Sequence, residues 1–97
     1  MILVKIHEDR GREVIAVCDS DLIGKEFNEG KLHIEISENF FKGKEMQKDI
    51  LIKMLKSCSN LNIVGKESIK LALDNKIIEK ESVIKIKGIP ISMVVAL

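Results

Sequence analysis

Apolar positions along the chain fall into two periods, two and roughly three to four. Ile2, Val4 and Ile6 alternate against the mixed set Leu3, Lys5 and His7, the pattern of a strand. Glu8-Asp9-Arg10-Gly11-Arg12 then makes a polar turn, and Glu13 to Cys18 is a short, β-branched apolar run. Residues 1–18 therefore predict a β-hairpin. Asp19, Ser20 and Asp21 are all N-cap residue types ahead of Leu22 and Ile23, and Gly24 is suited to end one helical turn. Lys31 to Ile36 alternates without a fault, which sets Leu32, Ile34 and Ile36 inward and Lys31, His33 and Glu35 toward water. It is the clearest strand in the pattern.

Ser37 is placed to cap a short helix whose adjacent Phe40 and Phe41 rings plug one end of the core before Gly43 breaks the chain. Residues 45–58 predict a helix with Leu51, Met54, Leu55 and Cys58 along one stripe, and with Lys53 and Lys56 where the dipole favours cations. Asn60 to Val64 reads as a short strand or an extended link. Gly65 opens a second helix, in which Ile69, Ala72, Leu73 and the stem of Lys76 share a face and Asn75 is the stop, through its tolerance of the left-handed conformation. Val83 to Lys87 is a strand, Gly88-Ile89-Pro90 a turn or bulge, and Ile91 to Leu97 a last strand, apolar on both faces and hence central or covered. The order β-β-β-α-α-β-β predicts one α+β domain over residues 1–97, with a mixed or antiparallel sheet of about five strands packed by two main helices.

Length and composition narrow this further. A chain of 97 residues makes a single domain with one compact core, and with three Phe and neither Trp nor Tyr that core must be aliphatic. The net charge of +1 hides an asymmetry. Residues 1–41 hold five Lys/Arg against nine Asp/Glu, a balance of −4, whereas residues 42–97 hold eleven against six, a balance of +5. Such a division suits a basic face for an anionic partner, or acidic-to-basic association between copies, unless folding interleaves the two halves. Abundant Lys and Glu suit a thermophile-like surface. The opening Met-Ile-Leu-Val-Lys-Ile has no cationic region before it and meets a charge at Lys5, so the expectation is a cytoplasmic protein without a signal or membrane span.

Few side chains suggest chemistry. Cys18 and Cys58 stand forty positions apart with no Cys-x-x-Cys and no histidine at ligand spacing. Two packed, reduced thiols are expected, a bridge between them is the lesser alternative, and no metal site or cofactor is expected. Cys18, Asp19 and Asp21 form a candidate ligand site at a strand end, against the simpler reading of Asp19 and Asp21 as helix caps. Gly24-Lys25 and Gly65-Lys66 each look like the end of a phosphate loop but lack its earlier glycine and its following Ser or Thr. Each reads first as a plain turn, and the weaker alternative keeps them as candidate anion contacts, in which the amides after Gly65, with Lys66 nearby, receive a single phosphate or an RNA backbone group. Alternation gives no reason for His33 to approach Cys18, so no catalytic residue is assigned. Lys66, Lys70, Lys76, Lys80, Lys85 and Lys87 form a candidate basic surface for RNA or a protein partner, but the predicted strands hold no aromatic platform for stacking bases.

Several short motifs carry a resemblance: Val17-Cys18-Asp19, Leu22-Ile23-Gly24-Lys25 with Phe27, Glu29-Gly30, Ile36-Ser37-Glu38 with Phe40-Phe41, Ile63-Val64-Gly65, and Val83-Ile84-x-Ile86-x-Gly88-Ile89-Pro90. In order and spacing the chain is similar to the archaeal domain of unknown function 424 family over essentially its whole length. The resemblance implies an archaeal, cytosolic, single-domain protein of a family with no assigned activity and no catalytic residues to carry over. The family pattern places a histidine after Gly-x-Pro; here that position is Ile91, so an acid-base role there does not transfer. The expectation is a non-enzymatic binding or assembly module, possible partners being RNA, a ribonucleoprotein or another protein. The alternatives are a small enzyme or ligand binder around Cys18, Asp19 and Asp21, and a homo-oligomer joined through strand edges.

Overall fold

The computed structural model describes residues 1–96. Its strands are β1 (Ile2–Asp9), β2 (Arg12–Asp19), β3 (Glu26–Glu29), β4 (Leu32–Glu35), β5 (Lys44–Glu45), β6 (Leu61–Val64), β7 (Ile84–Ile86) and β8 (Ile89–Val94). Its helices are α1 (Glu38–Phe41), α2 (Lys48–Ser57) and α3 (Lys66–Asp74), with single 3₁₀ turns at Ser20–Leu22 and Lys80–Ser82. Six strands form one sheet in the order β5-β1-β2-β6-β8-β7, and β3 and β4 form a separate two-stranded hairpin. The fold is mixed α+β, but the strand count and order exceed the sequence pattern, which lacked β3 and β5 and left β6 undecided.

The sheet grows from its first hairpin. All eight residues of β1 pair antiparallel with β2, from Ile2 opposite Asp19 to Asp9 opposite Arg12, around a turn with Arg10 and Gly11 at φ 53° and 79°. Two central residues at positive φ define the type I′ turn that matches strand twist. The central pair, β2 with β6, is parallel, in register from Ile15–Leu61 to Cys18–Val64, and every other pairing is antiparallel. Residues Ile15 to Asp19 are all buried. A strand covered on both faces needs such an unbroken apolar run.

Alternation along β2 divides the interior in two. Ile15 and Val17 face α2 and α3, where they meet Leu51, Leu55, Leu61, Ile63, Ile69 and Ala72. Ala16 and Cys18 face the other way, toward Leu22, Ile36, Phe41, Val64, Ile86 and Ile91. The second face is thus covered by the 3₁₀ turn, the β3–β4 hairpin and α1. Fully burying an aliphatic side chain such as Leu51 or Leu55, each 1% exposed, contributes about 2 kcal/mol.

Four local expectations change. The strand around Ile34 belongs to the covering hairpin and not to the sheet, and Leu32 is 46% exposed. The turn near Pro90 is Lys87-Gly88, and Pro90 lies inside β8 opposite Lys85. β8 lies between β6 and β7, yet Met93 is 65% exposed, because the covering layer stops short of that corner; Leu97 falls outside the described residues. Asn75 ends α3 by donating its side-chain amide to the Leu71 carbonyl at 2.8 Å, with φ −104°, and Lys76 takes the positive φ of 57°.

Candidate functional site

The parallel pairing of β2 with β6 sets Cys18 opposite Val64, so the next residues, Asp19 at the end of β2 and Gly65 just past β6, lie side by side. Asp19 pairs with Ile2 across β1 and shares its side of the sheet, which is the helix side. There its carboxylate meets the start of α3. Oδ2 accepts from the Glu67 N–H at 3.0 Å, while Oδ1 accepts from the Ser68 N–H at 2.9 Å and from the Ser68 hydroxyl at 2.7 Å. Asp19 is 8% exposed and Ser68 fully buried. These bonds satisfy amides that the first turn of a helix otherwise leaves without partners.

Gly65 makes the approach possible. Its φ of 112° and ψ of 157° lie in a region essentially restricted to glycine. A Cβ there would also fall within 3.0 Å of Asp19 Cγ, Oδ1 and Oδ2. The Gly65 N–H donates to the Pro90 carbonyl at 2.9 Å, fixing the turn to β8. The amides after Gly65 are taken up by the protein's own carboxylate.

This arrangement corrects the local reading of Asp19. The residue precedes the 3₁₀ turn Ser20–Leu22 without a side-chain bond to it, because extended backbone at φ −69° and ψ 131° turns the carboxylate to the helix side. It caps α3 instead, through Glu67 and Ser68, 48 and 49 residues further on. Asp21 is exposed.

Cys18 points to the opposite face. Its Sγ is fully buried, 3.9 Å from the Phe41 carbonyl, and burial, then the Asp19 and Asp21 charges, push the thiol up to about 12. A reactive cysteine requires the reverse, a thiolate made accessible by positive surroundings. Cys58 packs at the margin of the helix-side core, and both thiols are free. His33 Nδ1 lies 2.6 Å from Asn28 Oδ1 on the exposed hairpin, and His7 stacks on Phe40 at 4.5 Å with Nε2 2.8 Å from the Phe40 carbonyl.

Of the seven candidate site residues, the structure brings Asp19, Gly65 and Lys66 to one end of the central strands, with Cys18 adjacent but facing away. Gly24 and Lys25 are backbone anchors of the covering layer. The Gly24 N–H donates to the Ile36 carbonyl at 2.7 Å, the Lys25 N–H donates to that of Leu22 at 3.1 Å, and the Ile36 N–H donates to the Lys25 carbonyl at 2.9 Å. Ser68 is the residue that sequence reasoning missed. Its only signal was a hydroxyl in the first turn of a predicted helix.

The six lysines of the candidate basic surface are all exposed, spread over α3 and the residues just after it, the second 3₁₀ turn and β7 with its turn, and Lys70 pairs with Asp74 at 2.6 Å. Cavities of about 350 and 250 Å³ lie between α2 and α3 around Ile2, Lys48 and Glu67. Here the Met1 amino group is 2.9 Å from Glu67, which holds that exposed carboxyl below its usual range. A third cavity of about 440 Å³ borders β1 beside Met46. Among the described residues, no group of three or more His, Cys, Asp or Glu converges to hold a metal, and no helix is long and apolar enough to cross a membrane.

Fold and site together define a small α+β protein whose sheet centre is clipped to a helix by an internal carboxylate. The chain belongs to the family described as "Protein of unknown function (DUF424)", whose model matches residues 7–97. The fold is shared with a protein from Methanopyrus kandleri, the subject of a "Crystal structure of an uncharacterized conserved protein": TM-score 0.78 at 23% identity, covering 99% of this chain and 94% of that one. Among the curated proteins none matches this chain.

Proposed function

We propose that this protein is a non-enzymatic binding module that works through its surface. The observation that supports this reading is the closure of its best-equipped site. The carboxylate, helix N-terminus and glycine that together resemble an anion pocket are bonded to one another, and the neighbouring thiol is buried and held protonated. Groups so satisfied stabilise the fold and are not poised to react. By contrast, Ile6, Leu32, Ile84 and Met93 are large apolar side chains left exposed, a feature suited to contact with another macromolecule.

Alkylation tests the reading. Iodoacetamide is expected to modify Cys18 of the native protein at pH 8 at least a hundredfold more slowly than the same cysteine in urea. Native modification at the rate of a free peptide thiol would overturn the assignment and return thiol chemistry to the site.

A further inference from the structure

The outer edge of the sheet is incompletely covered. β5 is two residues long and pairs only with Leu3 and Val4, so from Ile6 to Asp9 no strand among the described residues pairs with the outer edge of β1. The inner edge of β1 is paired over all eight residues. Free N–H and C=O groups on such an edge are a template for another chain.

The surroundings of this edge are specific. The cavity of about 440 Å³ beside it is floored by Val4, Ile6 and Met46, and its only ionisable lining residues are Lys5, Lys42 and Lys44. Ile6 is 49% exposed. The Lys5 ammonium is turned to the Asn39 carbonyl, whereas Lys42 and Lys44 are exposed and have no ion pair among the described residues. Lys44 lies opposite Val4 and therefore on the same face as Ile6. Apolar floor, cationic rim and open strand edge thus coincide.

We infer that this edge takes an extended segment of a partner protein as an added antiparallel strand that pairs as far as Ile6, sets an apolar side chain there, and then turns off the edge where Gly43 fills the place opposite Lys5, so that the carboxylates that follow reach the exposed side chains of Lys42 and Lys44. Antiparallel addition continues the pairing that β2 and β5 already make with β1, and strand addition draws affinity from the backbone and specificity from alternate side chains. Direction follows from charge. Glu8 and Asp9 occupy the far end of the open edge, so the acidic end of the segment is its carboxyl-terminal end, next to Lys44, and its other end is neutral or basic.

A second copy of this chain fits poorly. Antiparallel self-pairing that keeps each face with its like must centre on a residue. Centred on Glu8, it opposes Glu8 to itself. Centred on His7, it needs the place opposite Lys5, where Gly43 packs so closely that a Cβ would run into the Val4 carbonyl and the Lys5 nitrogen.

The inference rests on the binding-module reading but has its own test, because Cys18 lies on β2 and its alkylation does not report on the β1 edge. The ¹⁵N-labelled full chain is titrated with the acetylated heptapeptide Lys-Thr-Val-Thr-Ile-Glu-Glu and with its charge-swapped counterpart Glu-Thr-Val-Thr-Ile-Lys-Lys. Saturable shifts are expected at the amides of Ile6–Asp9, Lys42 and Lys44 with the first peptide only. The double variant Lys42→Glu, Lys44→Glu should keep a dispersed spectrum and bind at least tenfold more weakly. The inference fails if there is no shift at millimolar peptide, or if both peptides or both proteins respond equally. It also fails if sedimentation shows a concentration-dependent dimer that gives the same shifts without peptide.

Discussion

The carboxyl end of the β2–β6 pair and the outer edge of β1 both leave backbone polar groups free of the sheet, and the protein finishes them in opposite ways. At the first, amides that could meet an anion are bonded to Asp19, and Gly65 gives that carboxylate room. At the second, two residues of β5 cover the strand and stop, leaving Ile6 half-exposed beside Lys42 and Lys44. The first pattern is that of a stabilising clip, the second that of a surface awaiting a neighbour. Mutations at the two places should therefore differ in kind, lowering stability at one and altering binding at the other.

The largest effect is expected at Gly65. Gly65→Ala forces a non-glycine residue to φ 112° against a buried carboxylate and should lower stability by about 3 kcal/mol or more, read as a drop in the urea midpoint. Asp19→Ala strands two amides and the buried Ser68 hydroxyl, at about 2–3 kcal/mol. The two changes should be coupled, because without the carboxylate the alanine at 65 has only backbone strain to meet, and its penalty should fall by about 1 kcal/mol or more. Additive losses would mean that Asp19 and Gly65 act separately, and the clip would lose its meaning.

A smaller effect comes from pH. The folded value of Cys18 is raised, to about 12, against roughly 8.5 in an unfolded chain. The unfolded state therefore binds fewer protons between those values. Stability is full below about pH 8.5 and declines as pH rises toward 12, by at most about 1.4 kcal/mol per pH unit. Comparing wild type with Cys18→Ala over pH 8–11 isolates this slope, which should vanish in the variant. The smallest effect is expected at the open edge. Ile6→Thr and Lys44→Gln should each change stability by no more than about 0.5 kcal/mol. A loss as large as that of Asp19→Ala would show that the edge is already structural and sharpen the comparison against the docking role.

The first hairpin was legible because period two, a polar turn and a β-branched run agree over Ile2 to Cys18. The β3 strand was not, since Glu26–Glu29 contains one apolar residue, Phe27, and offers no alternation. β4 reads clearly as a strand, but its place in the covering hairpin does not follow from the pattern. Alternation reports that Ile34 turns inward, yet carries no information on which surface it meets. At the candidate site the chemistry of Asp19 as a cap is readable and its target is not, because a sequence pattern shows caps only within the adjoining turn while these bonds reach Glu67 and Ser68. Gly65 read as a strand-to-helix turn, and what its sequence could not reveal was the carboxylate pressed against it.

Joining β2 to β6 in parallel has a temporal consequence. Residues 20–60 intervene between these neighbours, and the whole covering hairpin layer, together with α2, is threaded through that excursion. A chain emerging from the ribosome can zip its first two strands within microseconds, but the middle of the molecule waits for synthesis to pass Val64. Loop closure over so long a span precedes any reward from the contacts it creates, so refolding should be paced by this late docking, with the Asp19 clip among the last bonds to form.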